Sequence, residues 1–405
     1  MLKKTLKAGV LYYTLFVALV MLLTVGLFIL IFYQENFLTA NIKRSERINS
    51  YFSSALTLAL SNPASGSFTR SILLFEEDKE SSVTIAQSEW GMYSVLTLSL
   101  AEFPKIASKS YLIGITPNDT IRQTGLYLRN NFSYLSVSGS TILTGRTYLP
   151  YSGIASSSIE GVGYTGDSLV YGKKFFSCDS LPTAFSSRLS QIIDWVKELK
   201  EEDISLSEPV AAPFSKKPRA IGVPHLLSRC SLSGNIVIRS DGKLTLSRNA
   251  QLKNVIVYAP TVYVESGFRG ICQIFATDTV IIQKGATLRY PSGIAIFSKN
   301  GGYLQVDSTS RIYGYAIVRG NNNTKVGLRI RSSASIFGYA YCSTKVDHQG
   351  AIFGSLYAYG FEFRTGWGLY TSSLLNAKVL GNELSPSYVF PYVTPGRKAV
   401  IAKLP

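Results

Sequence analysis

Residues able to perform acid–base chemistry are sparse in the C-terminal half of this 405-residue chain. Residues 231–405 contain seven carboxylates, and no two of them lie within two positions of each other. Acid–base catalysis and calcium binding both need carboxylates that converge on one site. The sequence therefore predicts no catalytic pair, although stacked strands could bring distant acids together. The seven are Asp241, Glu265, Asp278, Asp307, Asp347, Glu362 and Glu383.

The two histidines and four cysteines also lack the spacing of a metal site or a nucleophile. His348 follows Asp347 in a segment interpreted as a turn, which predicts a surface pair and not a catalytic dyad. The cysteines form no C-x-x-C pair and have no His at ligand spacing, which argues against zinc. Cys272 and Cys342 lie within apolar runs and are expected to be buried. We therefore predict a non-enzyme with no catalytic residue, no metal and no cofactor.

A basic and aromatic set is the sharper candidate for binding. Residues 231–405 contain 19 Lys and Arg against seven acids, whereas residues 1–230 contain 22 against 18. A basic surplus attracts polyanions, and rings beside it could stack on bases. The alternative is that these side chains only keep exposed strands soluble. The candidate polyanion-binding residues are Arg311, Arg319, Arg329, Arg331, Tyr313, Tyr315 and Tyr339, which could line one flat face.

The elements that would position this set follow from a repeated phrase. The chain reads SRIYGYAIVRG at 310–320, SASIFGYAYCS at 333–343 and GAIFGSLYAYG at 350–360. Comparable apolar positions recur every 16 to 24 residues from Leu252 to Ile352, which is typical of a parallel β-solenoid. Each turn must place a like residue inward, and Gly314, Gly338 and Gly354 would permit the same bend. A β-sandwich is the structural alternative.

The repeats resemble right-handed β-helices and, more loosely, bactofilin-like polymer-forming proteins over residues 233–362. That resemblance implies a structural scaffold. Some polysaccharide lyases and hydrolases are also built on β-helices, so a glycan-active enzyme is a further alternative. It would need the scattered carboxylates to stack on one another.

The N-terminal segment predicts a membrane anchor. The run AGVLYYTLFVALVMLLTVGLFILIFYQ at 8–34 contains no charge, and a bilayer core needs about 20 helical residues. Lys3, Lys4 and Lys7 precede it without an acid, so we expect this flank to stay in the cytoplasm. The prediction is a single-pass inner-membrane protein, N-terminus inside, whose bulk is periplasmic or extracellular. A cleaved secretory signal is the competing interpretation.

The layout of residues 1–62 resembles type IV pilins and pseudopilins, in particular their minor members. The shared features are a Lys-rich leader ending in Gly9, a long apolar helix and an amphipathic extension. The resemblance implies leader cleavage between Gly9 and Val10, and assembly with pilin-like or envelope-apparatus subunits. In that family the fifth mature residue is usually Glu, whereas this chain has Thr14, which supplies no carboxylate. A plain signal-anchor therefore remains the alternative.

The predicted fold is mainly β and combines a transmembrane helix, a small antiparallel region and a parallel β-solenoid. We expect a membrane-anchored extracytoplasmic structural or assembly protein whose partners are the lipid bilayer and related subunits. The alternative is a module that binds DNA or an anionic polysaccharide. The predicted segments are a basic leader (1–7), a transmembrane helix (8–34), its amphipathic extension (35–62), an antiparallel β region (63–133), a β region that could hold the first solenoid coils (134–181), an amphipathic helix (182–203), a Pro-rich connection (204–232), the solenoid (233–362) and a C-terminal cap or tail (363–405).

Overall fold

The structure, a computed structural model, confirms the mainly β fold, with 51% of the residues in strands. It describes residues 8–62, 66–74, 82–102, 105–182, 186–204, 206–321 and 324–404, so the predicted leader at 1–7 lies outside the described residues. The helices are α1 (Ala8–Ser61), α2 (Asp119–Arg122) and α3 (Ser186–Glu198).

Helix α1 is one continuous element of 54 residues, about 81 Å long at 1.5 Å per residue. The predicted transmembrane helix and its amphipathic extension are therefore a single rod. Its apolar N-terminal part is exposed, and it is long and apolar enough to cross a membrane. At its C-terminal end, Tyr51, Phe52, Ala55 and Ala59 are buried because they pack against an antiparallel sheet.

The antiparallel sheet has five strands in the order β1-β2-β3-β4-β27. The last strand comes from the C-terminus, so the predicted tail returns to pair with β4 and closes the edge of this sheet. One face packs on α1, and the other packs on the solenoid. The strands are β1 (Phe68–Leu73), β2 (Ser82–Trp90), β3 (Tyr93–Glu102), β4 (Lys105–Thr116) and β27 (Arg397–Leu404).

The remaining strands, apart from β24, which pairs antiparallel with β23, form a parallel β-solenoid of about 11 turns, as predicted. The first strands in the sequence are β5 (Thr124–Leu128), β6 (Leu135–Ser138), β7 (Ile142–Thr144), β8 (Arg146–Leu149), β9 (Ile154–Ser156) and β10 (Lys174–Phe176). After α3 come β11 (Val210–Ala212), β12 (Arg219–Gly222), β13 (Leu226–Leu227), β14 (Ser231–Arg239), β15 (Lys243–Leu246), β16 (Gln251–Val264), β17 (Arg269–Ile282), β18 (Thr287–Ser298), β19 (Tyr303–Val306), β20 (Arg311–Gly320), β21 (Val326–Ile330), β22 (Ser335–His348), β23 (Ala351–Arg364), β24 (Leu369–Thr371), β25 (Ser373–Leu375) and β26 (Lys378–Leu380).

Each regular turn has three sides, which β16 illustrates. Residues 251–253 form its first side, 255–259 its second side and 261–264 its third side, and each side pairs in parallel with β17. Alternate side chains point inward, where they stack into one continuous apolar core. Because every turn repeats this task, the same residue types recur along the sequence.

A column of left-handed residues makes the corner between the first and second sides. Gly314, Gly338 and Gly354 have φ angles of +143°, +135° and +134°. A Cβ on any of them would collide with the carbonyl oxygen of the turn before it. The prediction that these glycines permit a bend and a close backbone approach is therefore confirmed, and only glycine fits both demands.

The order of the turns corrects one prediction. We expected residues 134–181 to hold the first coils, yet β5 pairs with β23 and β7 pairs with β26. Residues 124–176 therefore stack on the far end of the solenoid, beyond the last repeat. The opposite end is made by β11 and β12, which pair with β14. A turn can stack on any turn whose inward side chains pack against its own. Its place in the stack therefore need not follow its place in the sequence.

Candidate functional site

The structure brings no metal-binding cluster together in the part of the chain that it describes. No group of three His, Cys, Asp or Glu side chains there could hold a metal ion. The exposed cysteine is Cys178, whereas Cys272 and Cys342 are fully buried, as predicted. Burial raises the pKa of the Cys272 thiol to about 12 and that of the Cys342 thiol to about 11.

Asp347 and His348 are a second correction, because they lie in strand β22 and not in a surface turn. Both are buried, with 3% of their surface exposed. Asp347 forms an ion pair of 2.9 Å with Arg329, and His348 Nε2 lies 3.0 Å from the Lys378 carbonyl oxygen. Burial lowers the pKa of His348 from 6.5 to about 4, so the ring is neutral at pH 7. This pair supports the fold of the third side.

The seven predicted polyanion-binding residues do not share one face. Tyr315 and Tyr339 are 0% and 2% exposed, because they project from the second side of the solenoid into the contact with the antiparallel sheet. The Tyr93 ring packs edge-on against Tyr315 with centroids 5.9 Å apart. A buried ring cannot stack on a base, so these two tyrosines belong to an internal interface. The sequence pattern correctly predicted that both side chains point away from the solenoid core. It could not show that the antiparallel sheet covers them.

The arginines of the set are also divided among the sides. Arg329 lies on the third side, where Asp347 neutralises it. Arg319 lies at the end of the second side, and its guanidinium is 5.6 Å from the centroid of the Phe297 ring. Arg331 lies in the connection between the third and first sides. Of the seven, Arg311 and Tyr313 project from the first side.

The first side carries a basic surface that the sequence only partly indicated. Its outward positions form two columns, and neither column contains an acid at the register positions that the structure shows. Arg269 and Arg311 occupy one column on either side of Thr287, about 10 Å apart at about 4.8 Å per strand. We call the exposed cations of this surface the basic face, which comprises Lys253, Arg269, Arg289, Arg311 and Lys378.

None of these five cations forms an ion pair with a described residue, in contrast to Arg329 and Lys345 on the third side. Their charges are therefore left to solvent or to a partner. The local sequence signal was weak, because the five lie in five different turns. Only the register of the turns shows that they share a surface.

An aromatic column borders the basic face. The rings of Tyr313, Phe337 and Phe353 stack with centroid distances of 4.4 and 4.5 Å and interplanar angles of 9° and 5°. These three half-buried rings belong to none of the internal apolar clusters. Leu288 pairs with Ile312 in the neighbouring turn, and Arg289 and Tyr313 are the residues that follow them. The aromatic column is therefore in line with Arg289. A flat apolar strip thus lies beside unpaired positive charge.

A polar junction fixes the antiparallel sheet on the solenoid. The fully buried Gln273 accepts hydrogen bonds from Met92 N and Tyr315 Oη, both at 2.8 Å, and donates to the Trp90 carbonyl oxygen at 3.1 Å. From the other side, the Arg188 guanidinium of α3 donates to the Gly91 carbonyl oxygen at 3.2 Å. The β2–β3 turn is therefore held by two elements, and it helps to fix the antiparallel sheet, on which α1 packs, to the solenoid.

The predicted processing residues lie on the exposed start of α1. Gly9 and Val10 are both exposed, and an added side chain at Gly9 would meet no other atom within 4 Å. Thr14 donates its hydroxyl to the carbonyl oxygens of Val10 and Leu11, at 3.2 and 2.9 Å. It therefore satisfies its polar group within its own helix.

No family model matches the chain, and no curated protein or solved structure matches it either.

Proposed function

We propose that this protein is a membrane-anchored extracytoplasmic scaffold, in which α1 carries a stiff β-solenoid away from the bilayer. The carrying observation is the continuity of α1, whose N-terminal part is an exposed apolar rod while its last turns are buried against the antiparallel sheet. A helix packed firmly against the rest of the protein holds that part at a fixed position relative to the membrane. Such an arrangement suits a subunit of an envelope filament or secretion apparatus. Partners would be the lipid bilayer and pilin-like or envelope-apparatus subunits.

The proposed orientation places the solenoid outside the cytoplasm, since the Lys-only flank at 1–7 favours the cytoplasmic side. Cys178 gives a direct test, because it is exposed while the other three thiols are buried. A membrane-impermeant maleimide applied to spheroplasts should label the wild-type chain and leave Cys178→Ser unlabelled. Labelling that appears only after the membrane is lysed would reverse the orientation.

Processing distinguishes the pilin-like form of this proposal from a simple anchored scaffold. N-terminal sequencing of protein extracted from membranes should find Val10 first if the leader is cut after Gly9. If sequencing found an intact Met1, pilin-like assembly would be ruled out and the simple anchored scaffold would remain.

A second candidate function is binding of a polyanion, such as DNA or an anionic polysaccharide, on the basic face. It is favoured by five exposed cations that form no ion pair with any described residue, next to the stacked column of Tyr313, Phe337 and Phe353. Phosphates or carboxylates would meet the cations, and flat groups would lie on the rings. Each phosphate contact adds about 0.9 to the slope of log K against log salt for duplex DNA.

The test compares two double variants of equal charge. Arg269→Ser with Arg311→Ser removes two cations of the basic face, and Lys243→Ser with Lys325→Ser removes two exposed cations elsewhere on the solenoid. A salt titration of DNA or polysaccharide binding should lose about two units of slope in the first variant only. Equal losses in both variants would show that net charge, and not this surface, drives binding.

A further inference from the structure

A cavity of about 680 Å³ lies where the antiparallel sheet, α3 and the first turns of the solenoid meet. Trp90 from β2 and Trp195 from α3 contribute to its walls, together with Phe214, Lys216 and Lys217 from the connection between β11 and β12. This volume lies within the range of small-molecule sites. The cavity shares no residue with the basic face.

The apolar part of the wall is aromatic. Two of the three tryptophans of the chain line this one cavity. Trp90 packs edge-on against Phe214 with centroids 5.3 Å apart, and Trp195 is half-buried. The Trp90 indole Nε1 is buried without a hydrogen-bond partner among the described residues. Trp90 is 3% exposed, so it backs the wall, and Trp195 presents the accessible indole surface.

The polar part of the wall carries positive charge. Lys216 and Lys217 are exposed at the cavity, and neither forms an ion pair within the described part of the chain. Glu89 is the acid among the lining residues, and Arg188 already lies 3.8 Å from it. A ligand entering the cavity therefore meets two uncompensated ammonium groups beside aromatic rings.

Two side-chain amides complete the lining. Gln191 comes from α3, and Asn235 comes from β14. The Asn235 amide donates to the Lys216 carbonyl oxygen at 2.9 Å, so it also holds the lysine segment against the solenoid. Amides of this kind recognise hydroxyl groups, because they offer both a donor and an acceptor.

We infer that this cavity binds an acidic sugar unit, a pyranose ring that carries a carboxylate. The C–H groups on one face of such a ring would lie on the half-buried Trp195, the hydroxyls would meet the exposed Gln191 amide, and the carboxylate would meet the lysines. An aromatic acid would use Trp195 and the charge but would offer no hydroxyl to the Gln191 amide. This inference goes beyond the scaffold function and does not depend on the basic face.

Tryptophan fluorescence of the full-length protein in detergent tests the inference. Trp367 is 92% exposed on a hairpin and does not line the cavity, so Trp367→Phe leaves only the two cavity tryptophans as reporters. Titration with D-glucuronate should change their emission saturably, with a dissociation constant on the order of 1 mM for a ligand of this size. D-glucose, which lacks the carboxylate, should bind at least 10-fold more weakly.

Matched variants locate the binding. In the Trp367→Phe background, Lys216→Ser with Lys217→Ser should weaken glucuronate binding at least 10-fold, while Lys253→Ser on the basic face should leave it unchanged. The two cavity lysines are exposed, so circular dichroism should confirm that the fold persists.

Three results would overturn the inference: no saturable response to glucuronate, equal affinity for glucose, or unchanged affinity in the double lysine variant. Benzoate serves as the aromatic-acid probe. If it bound as tightly as glucuronate, the site would be assigned to aromatic acids and the saccharide assignment would be wrong.

Discussion

Replacing Gly338 by Ala should strongly destabilise the solenoid, because this residue lies in the middle of the glycine column. Its φ of +135° is a conformation that residues with a side chain rarely adopt. The added Cβ would also meet the Gly314 carbonyl oxygen and the Tyr388 hydroxyl. Both atoms belong to one contact, since the Tyr388 hydroxyl donates to that carbonyl at 2.5 Å.

The expected loss has two parts. Holding a non-glycine residue in an unfavourable backbone region costs about 1–3 kcal/mol. Displacing Tyr388 removes a buried hydrogen bond, which contributes about 1 kcal/mol. Together these give a loss of about 3 kcal/mol in the free energy of unfolding, which corresponds to roughly 6–12 °C in melting temperature for a domain of about 200 residues.

The assay is a thermal melt of the full-length protein in detergent, followed by far-ultraviolet circular dichroism. Gly360→Ala is the matched control, because Gly360 lies in the next turn and an added Cβ there would meet nothing within 4 Å. Its melting temperature should equal that of the wild type or rise by up to about 4 °C, since a compatible Gly→Ala change contributes about 0.4–1 kcal/mol in the stabilising direction. If Gly338→Ala had the melting temperature of the wild type, or if both variants lost the same amount of melting temperature, close backbone stacking would not explain the glycine column.

Two further perturbations test the buried polar contacts. The folded pKa of His348, about 4, lies below its usual 6.5, so stability should fall as pH decreases from about 6.5 to 4, by up to about 3 kcal/mol. The pH dependence of the melting temperature should flatten in His348→Gln and persist in the exposed-site control His225→Gln; an unchanged slope in His348→Gln would rule out this residue as the source. Gln273→Ala leaves three buried groups unpaired and should cost about 3 kcal/mol or more, whereas Gln251→Ala, at an exposed position, should be nearly neutral in the same melt. Equal melting of these two glutamine variants would show that the junction contributes no stability.

Local sequence determined the elements of this protein. The uncharged run at 8–34 indicated a helix able to span a membrane, since backbone groups in a bilayer must be satisfied within the segment. The recurrence of like residues indicated a parallel solenoid, because identical positions in successive turns must fill identical space. The same constraint predicted the shared bend and close backbone approach at Gly314, Gly338 and Gly354.

Only the tertiary structure decided which surfaces are free. Tyr315 and Arg311 lie in one strand and both point away from the core, yet the antiparallel sheet buries the first and leaves the second exposed. The sequence of β20 alone does not show this difference, because the strands that cover Tyr315 come from residues far away along the chain. The cavity between Trp90 and Trp195 arises in the same way, at a junction of three elements that no single segment encodes.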